Sequence, residues 1–255
     1  MEGSMFRLDG KVALVTGAAA GLGAGIAIAL ARQGADVALA GKPGGTSLSD
    51  TACRVEAYGH RVFCLDMDVC DLAQVEAGFE AVMGALGRVD ILVNNAGINR
   101  PAPGLDVTEA DWDALFATNV KGGFFLAQKA APVMMEKGWG RIIWVSSQSG
   151  VVGMPGMPVY CATKGAVNQL VRTLGTEWAP QGITVNAVGP TYVETALTHG
   201  RLQRPEFRAS ALAKIPSGKL AEVEDVAAAV VFLASEEAGM VNGHILLVDG
   251  GWTAW

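Results

Sequence analysis

Short apolar segments alternate with longer helical segments along almost the whole chain, and this alternation limits the folds open to it. The apolar segments have strand length and are apolar at nearly every position, so both of their faces need cover. We predict strands at residues 11–16, 36–40, 61–65, 89–93, 141–145, 183–188 and 244–248. Helices between successive strands favour right-handed crossovers. The predicted fold class is therefore α/β, a single Rossmann-type domain with a doubly wound parallel sheet of about seven strands and helices on both faces.

Helices are predicted between these strands, at residues 21–33, from the second strand to about 58, and at 71–86, 108–137, 158–179 and 222–234. The run Thr108-Glu109-Ala110-Asp111 is typical of a helix N-terminus, and we predict one continuous helix from it. Residues 189–220 are polar, contain three prolines and interrupt the rhythm. We predict one domain over residues 1–255, with 189–220 as a substrate-binding loop or lid.

Composition and charge exclude several classes of function. The net charge is -6 and the chain has no basic block, so we expect no nucleic-acid partner. No apolar run reaches the ~18 residues of a membrane span, and no secretory signal is visible, so we expect a cytoplasmic protein without a membrane partner. The four cysteines and three histidines lack metal-site spacing, which predicts free thiols and no metal.

A glycine-rich segment joins the first predicted strand to the first helix, with the sequence Thr16-Gly17-Ala18-Ala19-Ala20-Gly21-Leu22-Gly23. Glycines let the backbone turn and approach a pyrophosphate closely, while the helix N-terminus supplies amide donors and a favourable dipole. The spacing is GxxxGxG. It predicts a dinucleotide site formed by Gly17, Gly21, Leu22 and Gly23.

Lys164 follows Tyr160 by four residues, about one helical turn, so that both side chains lie on one face of a helix. A phenol titrates near ~10 and is a poor acid or base at neutral pH. A neighbouring ammonium favours the phenolate, so we expect Lys164 to lower the pKa of Tyr160 toward the working range. The pair predicts a general acid/base.

These two features, with Asn94-Asn95-Ala96-Gly97, Asn119 and Ser147 in the same order, resemble the short-chain dehydrogenase/reductase family over residues 10–252. The resemblance implies an NAD(P)-dependent oxidoreductase that transfers hydride between a nicotinamide and a secondary alcohol or ketone. It implies that Tyr160 transfers the proton and that Lys164 also binds the nicotinamide ribose. It further implies that Ser147 holds the substrate oxygen and that Asn119 holds a water linking the lysine to solvent.

The resemblance also implies cofactor contacts beyond the glycine loop. The adenine would meet Asp68 and Val69. The end of the fourth strand would contribute Asn95, Ala96 and Gly97, and the nicotinamide amide would be held by Pro190, Val193 and Thr195. At the end of the second strand, the aspartate of NAD-dependent relatives is missing, and Lys42 could pair with a 2′-phosphate. Ala20 stands where NADP-dependent relatives often carry a basic residue. NADP(H) is favoured, and NAD(H) stays open.

Weaker cues concern the substrate. The run Ile98-Asn99-Arg100 resembles members that act on ketogluconates and related hydroxy acids, and Arg100 could hold a carboxylate. Gln148 and Thr191 could bind hydroxyl groups beside Ser147 and Tyr160. We therefore predict a sugar, sugar acid or polyol as substrate. The family expectation is a homotetramer, and Trp252 and Trp255 would suit burial against a partner.

Three alternatives remain. A 3-oxoacyl-[carrier protein] reductase would present basic residues to an acidic carrier, near the end of the long helix and after the helix that carries Tyr160. Gly138 and Gln181 stand at those places in this chain, and Glu136 adds a negative charge. A xenobiotic ketone reductase would share the same catalytic residues. A catalytically silent dinucleotide-binding scaffold would not need all four of Asn119, Ser147, Tyr160 and Lys164, which are present together.

Overall fold

A single parallel sheet forms the centre of the molecule in the computed structural model, which describes residues 5–254 except for the side chains of 196 and 197. Its strands are β1 (Val12–Thr16), β2 (Asp36–Gly41), β3 (Val62–Asp66), β4 (Ile91–Asn94), β5 (Gly140–Val145), β6 (Ile183–Pro190) and β7 (Ile245–Val248). They form a 7-stranded sheet in the order β3-β2-β1-β4-β5-β6-β7, and every pair is parallel. The predicted fold class is confirmed.

Helices cover both faces of the sheet. They are α1 (Gly21–Arg32), α2 (Ser49–Glu56), α3 (Leu72–Leu86), α4 (Glu109–Phe116), α5 (Gly123–Glu136), α6 (Pro158–Trp178), α7 (Ala196–Leu202), α8 (Pro205–Leu212) and α9 (Val223–Ala234). Leu14 and Leu92 pack in a buried cluster with α3, α5 and α6, while Val15 and Val93 pack with α1 and α9 on the opposite face. Successive strand residues thus enter different cores, which explains why the central strands are largely apolar.

The strand order changes direction between β1 and β4, which is the topological switch point of the sheet. Strands β1, β2 and β3 proceed outward on one side, and β4 then returns to pair with β1 on the other. In open parallel sheets, ligands bind in the crevice beyond the carboxyl ends of the strands at such a point. The glycine loop after β1 and the Asn95-Ala96-Gly97 segment after β4 both lie there.

The helix predicted over residues 108–137 is interrupted, which corrects the sequence-based expectation. A π-helical turn, Ala117–Gly122, separates α4 from α5. A side chain at Gly122 has no room, because an added Cβ would lie 2.2 Å from the Val69 carbonyl oxygen. Turns of this kind are frequent at functional sites, and this one contains the buried Asn119.

Residues 189–220, predicted as an inserted lid, contain the short helices α7 and α8. Val193 and Ala221 form an isolated parallel bridge, which brings the ends of the segment together. Tyr192 packs edge-on against Phe207 and Trp252 at ring-centroid distances of 5.4 and 5.8 Å. Trp252 therefore packs within its own chain, while Trp255 lies outside the described residues.

Across residues 5–254, none of the helices combines the length and the apolar character needed to cross a bilayer.

Candidate active site

The glycine loop forms a cradle at the N-terminus of α1. Gly17 and Gly21 have φ values of +63° and +56°, a left-handed conformation that favours glycine. A Cβ on Gly23 would lie 2.1 Å from the Gly17 carbonyl oxygen, so a side chain there would fill the turn. The N-cap residue is Ala20, and no side chain caps the helix. The first amides of α1 therefore stay available to an anionic ligand, as a dinucleotide pyrophosphate requires.

Asn95 and Thr16 fasten this loop to the end of β4. Thr16 Oγ1 accepts hydrogen bonds from the backbone N–H groups of Asn95 and Ala96, both at 3.0 Å. Asn95 Nδ2 donates to the carbonyl oxygens of Thr16 and Gly17 at 2.8 and 3.1 Å. The Asn95 side chain is thus engaged in positioning the glycine loop.

A cavity of about 290 Å³ opens beside the loop. It collects most of the predicted cofactor residues: Gly17, Gly21, Leu22, Gly23, Asn95, Ala96, Gly97, Tyr160, Lys164, Pro190, Val193 and Thr195. Uncapped amides, a glycine-lined floor and the Tyr160 and Lys164 side chains on one wall are features that suit a nicotinamide dinucleotide. The residues present fit that cofactor.

Lys42, Asp68 and Val69 lie outside this cavity. Lys42 Nζ forms an ion pair with Asp68 Oδ2 at 3.0 Å, and its side chain is 72% exposed. A hydrogen bond from the Cys70 backbone N–H is the main cause of a lowered pKa at Asp68. The Lys42 ammonium lowers this pKa further, while burial partly offsets both effects. Lys42 borders a separate surface cavity of about 550 Å³ formed by the loop after β2. Val69 is buried.

Ser147 and Tyr160 lie on the wall that the first cavity shares with a second one. The Ser147 hydroxyl accepts a hydrogen bond from the Ser149 backbone N–H at 3.0 Å, because Ser147 caps the turn that follows β5. Ser146 also borders the first cavity, but its hydroxyl donates to Asn168 Oδ1 at 2.6 Å, on α6. The geometry therefore favours Ser147 over Ser146 as the residue that faces a substrate.

Lys164 is buried and Tyr160 is partly buried, and loss of hydration dominates the protonation of both side chains. Lys164 Nζ donates to the Val145 carbonyl oxygen at 2.8 Å and lies 5.6 Å from the Tyr160 ring centroid. Burial raises the pKa of Tyr160 to about 12, against a smaller opposing effect of Ser147, and lowers the pKa of Lys164 to about 8. The expected lowering of the pKa of Tyr160 is therefore not found, because loss of hydration is the largest effect on the phenol and only Ser147 opposes it.

Asn119 connects three segments around this pair. Its Oδ1 accepts from the Ile98 backbone N–H at 2.8 Å, and its Nδ2 donates to the Ile98 carbonyl oxygen at 3.0 Å. The same Nδ2 donates to Thr163 Oγ1 at 3.2 Å, one residue before Lys164. The π-helical turn thereby ties the segment after β4 to helix α6, which carries Tyr160 and Lys164.

The second cavity, of about 420 Å³, extends from Ser147 and Tyr160 toward α7. Its walls comprise Asn99, Pro101, Ser147, Gln148, Ser149, Met157, Tyr160, Thr191, Tyr192, Thr198, Gly200 and Arg201. Gln148 and Thr191, expected at the substrate, are among them. Strand β6 runs on through Pro190, directly before Thr191.

Arg100 does not line this cavity, contrary to expectation. Its Nη1 pairs with Asp111 Oδ1 at 2.9 Å. Thr108 holds the same carboxylate at 2.7 Å at the start of α4, and this oriented acceptor draws Arg100 away. Arg201, which no motif in the sequence indicated, lines this cavity in its place. No local pattern in the sequence shows which face of the short helix α7 lies against the cavity.

Comparisons with known proteins agree with this geometry. A family model described as enoyl-(acyl carrier protein) reductase matches residues 17–253. D-threitol dehydrogenase of Mycolicibacterium smegmatis is 43% identical over 97% of this chain and 95% of its own length. Gluconate 5-dehydrogenase of Gluconobacter oxydans is 39% identical, with 98% and 97% covered. A 3-oxoacyl-[acyl-carrier-protein] reductase of Thermotoga maritima is also 39% identical, with 96% and 98% covered.

A solved structure extends the comparison to three dimensions. Gluconate 5-dehydrogenase from Burkholderia cenocepacia, in complex with NADP and tartrate, superposes with a TM-score of 0.92 at 36% identity, with 98% of each chain covered. Within the described ranges of the present chain, no three histidine, cysteine, aspartate or glutamate side chains are grouped to hold a metal ion. Ser147 and Tyr160 lie on the wall common to both cavities, and Lys164 borders the first cavity.

Proposed function

The chain belongs to the short-chain dehydrogenase/reductase family, and on this premise we propose that it is an NADP(H)-dependent dehydrogenase of sugars, sugar acids or polyols. The observation that carries the proposal is the shared wall. Ser147 and Tyr160 border both the glycine-lined cavity and the polar cavity next to it. A substrate in the second cavity thus meets the proton-transferring groups on the side that faces the cofactor.

The catalytic residues act on the substrate oxygen. When bound, the nicotinamide accepts or supplies the hydride at the carbinol carbon. In the oxidation direction, Ser147 holds the substrate hydroxyl by a hydrogen bond, and the Tyr160 phenolate takes its proton. Charged Lys164 stabilises that phenolate, since burial disfavours each isolated charge more than the adjacent pair. In the reduction direction, the Tyr160 hydroxyl returns the proton to the new alkoxide oxygen.

The preference for NADP(H) is supported at the end of β2. The residues that follow β2, Lys42 to Gly45, include no acidic side chain to bind a ribose 2′-hydroxyl, and the related gluconate 5-dehydrogenase structure contains NADP. The Lys42–Asp68 ion pair is exposed on the lysine side, and such pairs contribute about 0–1 kcal/mol. A doubly charged 2′-phosphate would therefore compete well with Asp68 for the Lys42 ammonium.

Lys42→Ala tests this preference. We expect KM for NADP(H) to rise about tenfold and KM for NAD(H) to stay within twofold, because only the phosphate meets the lost charge. Steady-state kinetics with both coenzymes measures the two values, and Lys137→Ala, an exposed lysine after α5, is the matched control. Equal effects on both coenzymes would reject the 2′-phosphate contact.

The substrate class is supported by the relatives, which are named for threitol and gluconate, and by the polar walls of the second cavity. The decisive assay measures turnover with both coenzymes on polyols, sugars, sugar acids and cyclic ketones. Activity confined to the ketones would reject the sugar assignment. Coenzyme binding without turnover of any substrate would indicate a silent scaffold.

A 3-oxoacyl-[carrier protein] reductase is the second candidate, because the Thermotoga maritima relative has that name. Docking of an acidic carrier favours basic residues at the mouth of the site. Gly138 and Gln181, after α5 and α6, provide none, and Glu136 is acidic. A 3-oxoacyl thioester belongs in the same assay, and kcat/KM on it above that on every sugar acid and polyol would favour this candidate.

We propose, from the family resemblance, that the protein forms a homotetramer in which α4, α5 and α6 pack against the same helices of neighbouring subunits. Trp112 on α4 is 47% exposed and stacks on Phe116 with ring centroids 5.0 Å apart, which leaves an aromatic surface for such a contact. Light scattering on the eluting protein measures the mass, and a monomeric mass would reject the proposal.

A further inference from the structure

We propose that Arg201, on helix α7, binds a carboxylate of the substrate, so that the second cavity selects polyhydroxy acids over neutral polyols of the same length. The inference refines the proposed function and rests on it. It names a specificity residue outside the four catalytic positions and replaces Arg100 as the carboxylate-binding group.

Arg201 is a positioned cation inside the cavity. Its guanidinium carbon lies 4.4 Å from the Phe207 ring centroid, and Nη1 lies 3.2 Å from the Met157 sulfur. These contacts orient the planar group but use little of its capacity, since a guanidinium has five N–H donors and a thioether is a weak acceptor.

The charge of Arg201 is not compensated within the described part of the chain. None of the ion pairs among those residues includes Arg201. The nearby carboxylate of Glu194 is engaged by His199 at 3.6 Å and by Arg208 at 3.5 Å. A guanidinium held at the wall of a cavity and lacking an anion is suited to receive a carboxylate in bidentate fashion.

Unpartnered polar atoms on the same walls indicate the rest of the ligand. Among the described residues, six buried side-chain polar atoms lack a hydrogen-bond partner, and three of them belong to residues of this cavity: Asn99 Oδ1, Gln148 Oε1 and Thr191 Oγ1. Gln148 is only 2% exposed and Thr191 only 8%. Native proteins retain few such atoms, because each costs about 1–3 kcal/mol.

A polyhydroxylated chain suits these walls. Asn99, Gln148 and Thr191 line the cavity with amide and hydroxyl groups, which match hydroxyl groups better than they match an apolar ketone. The volume of about 420 Å³ falls in the range of roughly 300–1,000 Å³ that small-molecule sites occupy. Ser147 and Tyr160 lie on the same cavity as Arg201, so one ligand meets both the catalytic pair and the cation.

D-Gluconate and D-glucitol provide a matched pair of probes, because they share a carbon skeleton and differ at one end by a carboxylate against a CH₂OH group. In the wild type we expect a higher kcat/KM for gluconate. Arg201→Gln should lower kcat/KM for gluconate at least tenfold, mainly through KM, and leave the value for glucitol within twofold. Arg201→Lys should recover part of the loss.

Arg204→Gln is the control for an arginine of the same segment, because Arg204 is exposed and forms no ion pair with any described residue. It should leave the ratio of the two kcat/KM values unchanged. Equal loss on gluconate and glucitol in Arg201→Gln, or a wild type that favours glucitol, would overturn the proposal.

Calorimetric titration separates this inference from the proposed function. D-Gluconate and D-threonate are titrated into wild type and Arg201→Gln with NADPH present, so that no oxidation follows. Binding that weakens at least tenfold in the variant supports the carboxylate site even if no substrate turns over, in which case only the proposed function fails. Turnover of polyols with acid binding unaffected by the substitution leaves the function standing and overturns the Arg201 proposal. Absence of acid binding to the wild type also overturns it.

Discussion

Lys164→Met should make the protein more stable while abolishing its activity. The pKa of Lys164 falls from 10.5 to about 8 on burial, which corresponds to roughly 3 kcal/mol of unfavourable charging in the folded protein. Methionine keeps much of the apolar stem and removes the charge. Loss of the hydrogen bond to the Val145 carbonyl oxygen costs about 1 kcal/mol. The expected net gain at pH 7 is about 2 kcal/mol in the free energy of unfolding.

The pH dependence of that gain follows from the direction of the shift. Below pH 8 the lysine is charged in both folded and unfolded states, and the folded state bears the full cost. Between pH 8 and 10.5 the unfolded chain binds more protons than the folded one, so the wild type gains stability as pH rises. The advantage of Lys164→Met should therefore be largest at and below pH 8 and disappear near pH 10, where the lost hydrogen bond offsets the remaining cost of the charge.

Urea denaturation followed by fluorescence at several pH values between 6.5 and 10.5 measures this difference. For a chain of this size, 2 kcal/mol corresponds to about 4–8 °C in Tm, so calorimetry gives an independent check. Lys121→Met, at an exposed lysine of the π-helical turn, should show no comparable gain. A variant that is less stable than wild type at pH 7, or a gain that does not change with pH, would refute the burial argument.

Two further predictions concern the other catalytic positions. Tyr160→Phe should reduce kcat by at least a thousandfold and leave the coenzyme Kd, from fluorescence titration, within a few-fold; comparable turnover in the variant would reject proton transfer by Tyr160. Asn119→Ala removes three hydrogen bonds and leaves the backbone N–H and C=O of Ile98 without their side-chain partner, so the free energy of unfolding should fall by about 3 kcal/mol. A loss below 0.5 kcal/mol in chemical denaturation would show that the Asn119 clamp is dispensable.

The sheet could be predicted from sequence because each strand carries its own signal. A strand buried on both faces is apolar at most positions, and the strands from Val12–Thr16 to Ile183–Pro190 were found close to their predicted bounds. The glycine loop is equally local, since its positive φ values and close contacts require glycine at fixed spacing. These features depend little on distant parts of the chain.

The π-helical turn could not be predicted in the same way. Residues 108–137 have helical character throughout, and the α and π forms differ only in hydrogen-bond register. The contacts that accompany the π form here come from elsewhere, from the Ile98 backbone on Asn119 and the Val69 carbonyl beside Gly122. A single sequence read locally does not contain those contacts.

The two arginines and the catalytic tyrosine show the same limit. Arg100 was expected at the substrate because of its neighbours in sequence, but Asp111, eleven residues later, binds it. Arg201 reaches the cavity because of how α7 lies against it, which no spacing encodes. Likewise, the spacing of Tyr160 and Lys164 shows that they are neighbours but not that burial would raise the pKa of the phenol to about 12.

The bridge between Val193 and Ala221 has a practical consequence for protein engineering. It joins the two ends of the α7–α8 segment, so the residues between them form a module with adjacent attachment points. Loops closed at the base tolerate changes of length and sequence at small entropic cost. Exchanging this module for one from another enzyme should therefore retarget the catalyst to new alcohols while the sheet stays as it is, provided that Val193 and Thr195, which line the coenzyme cavity, are kept.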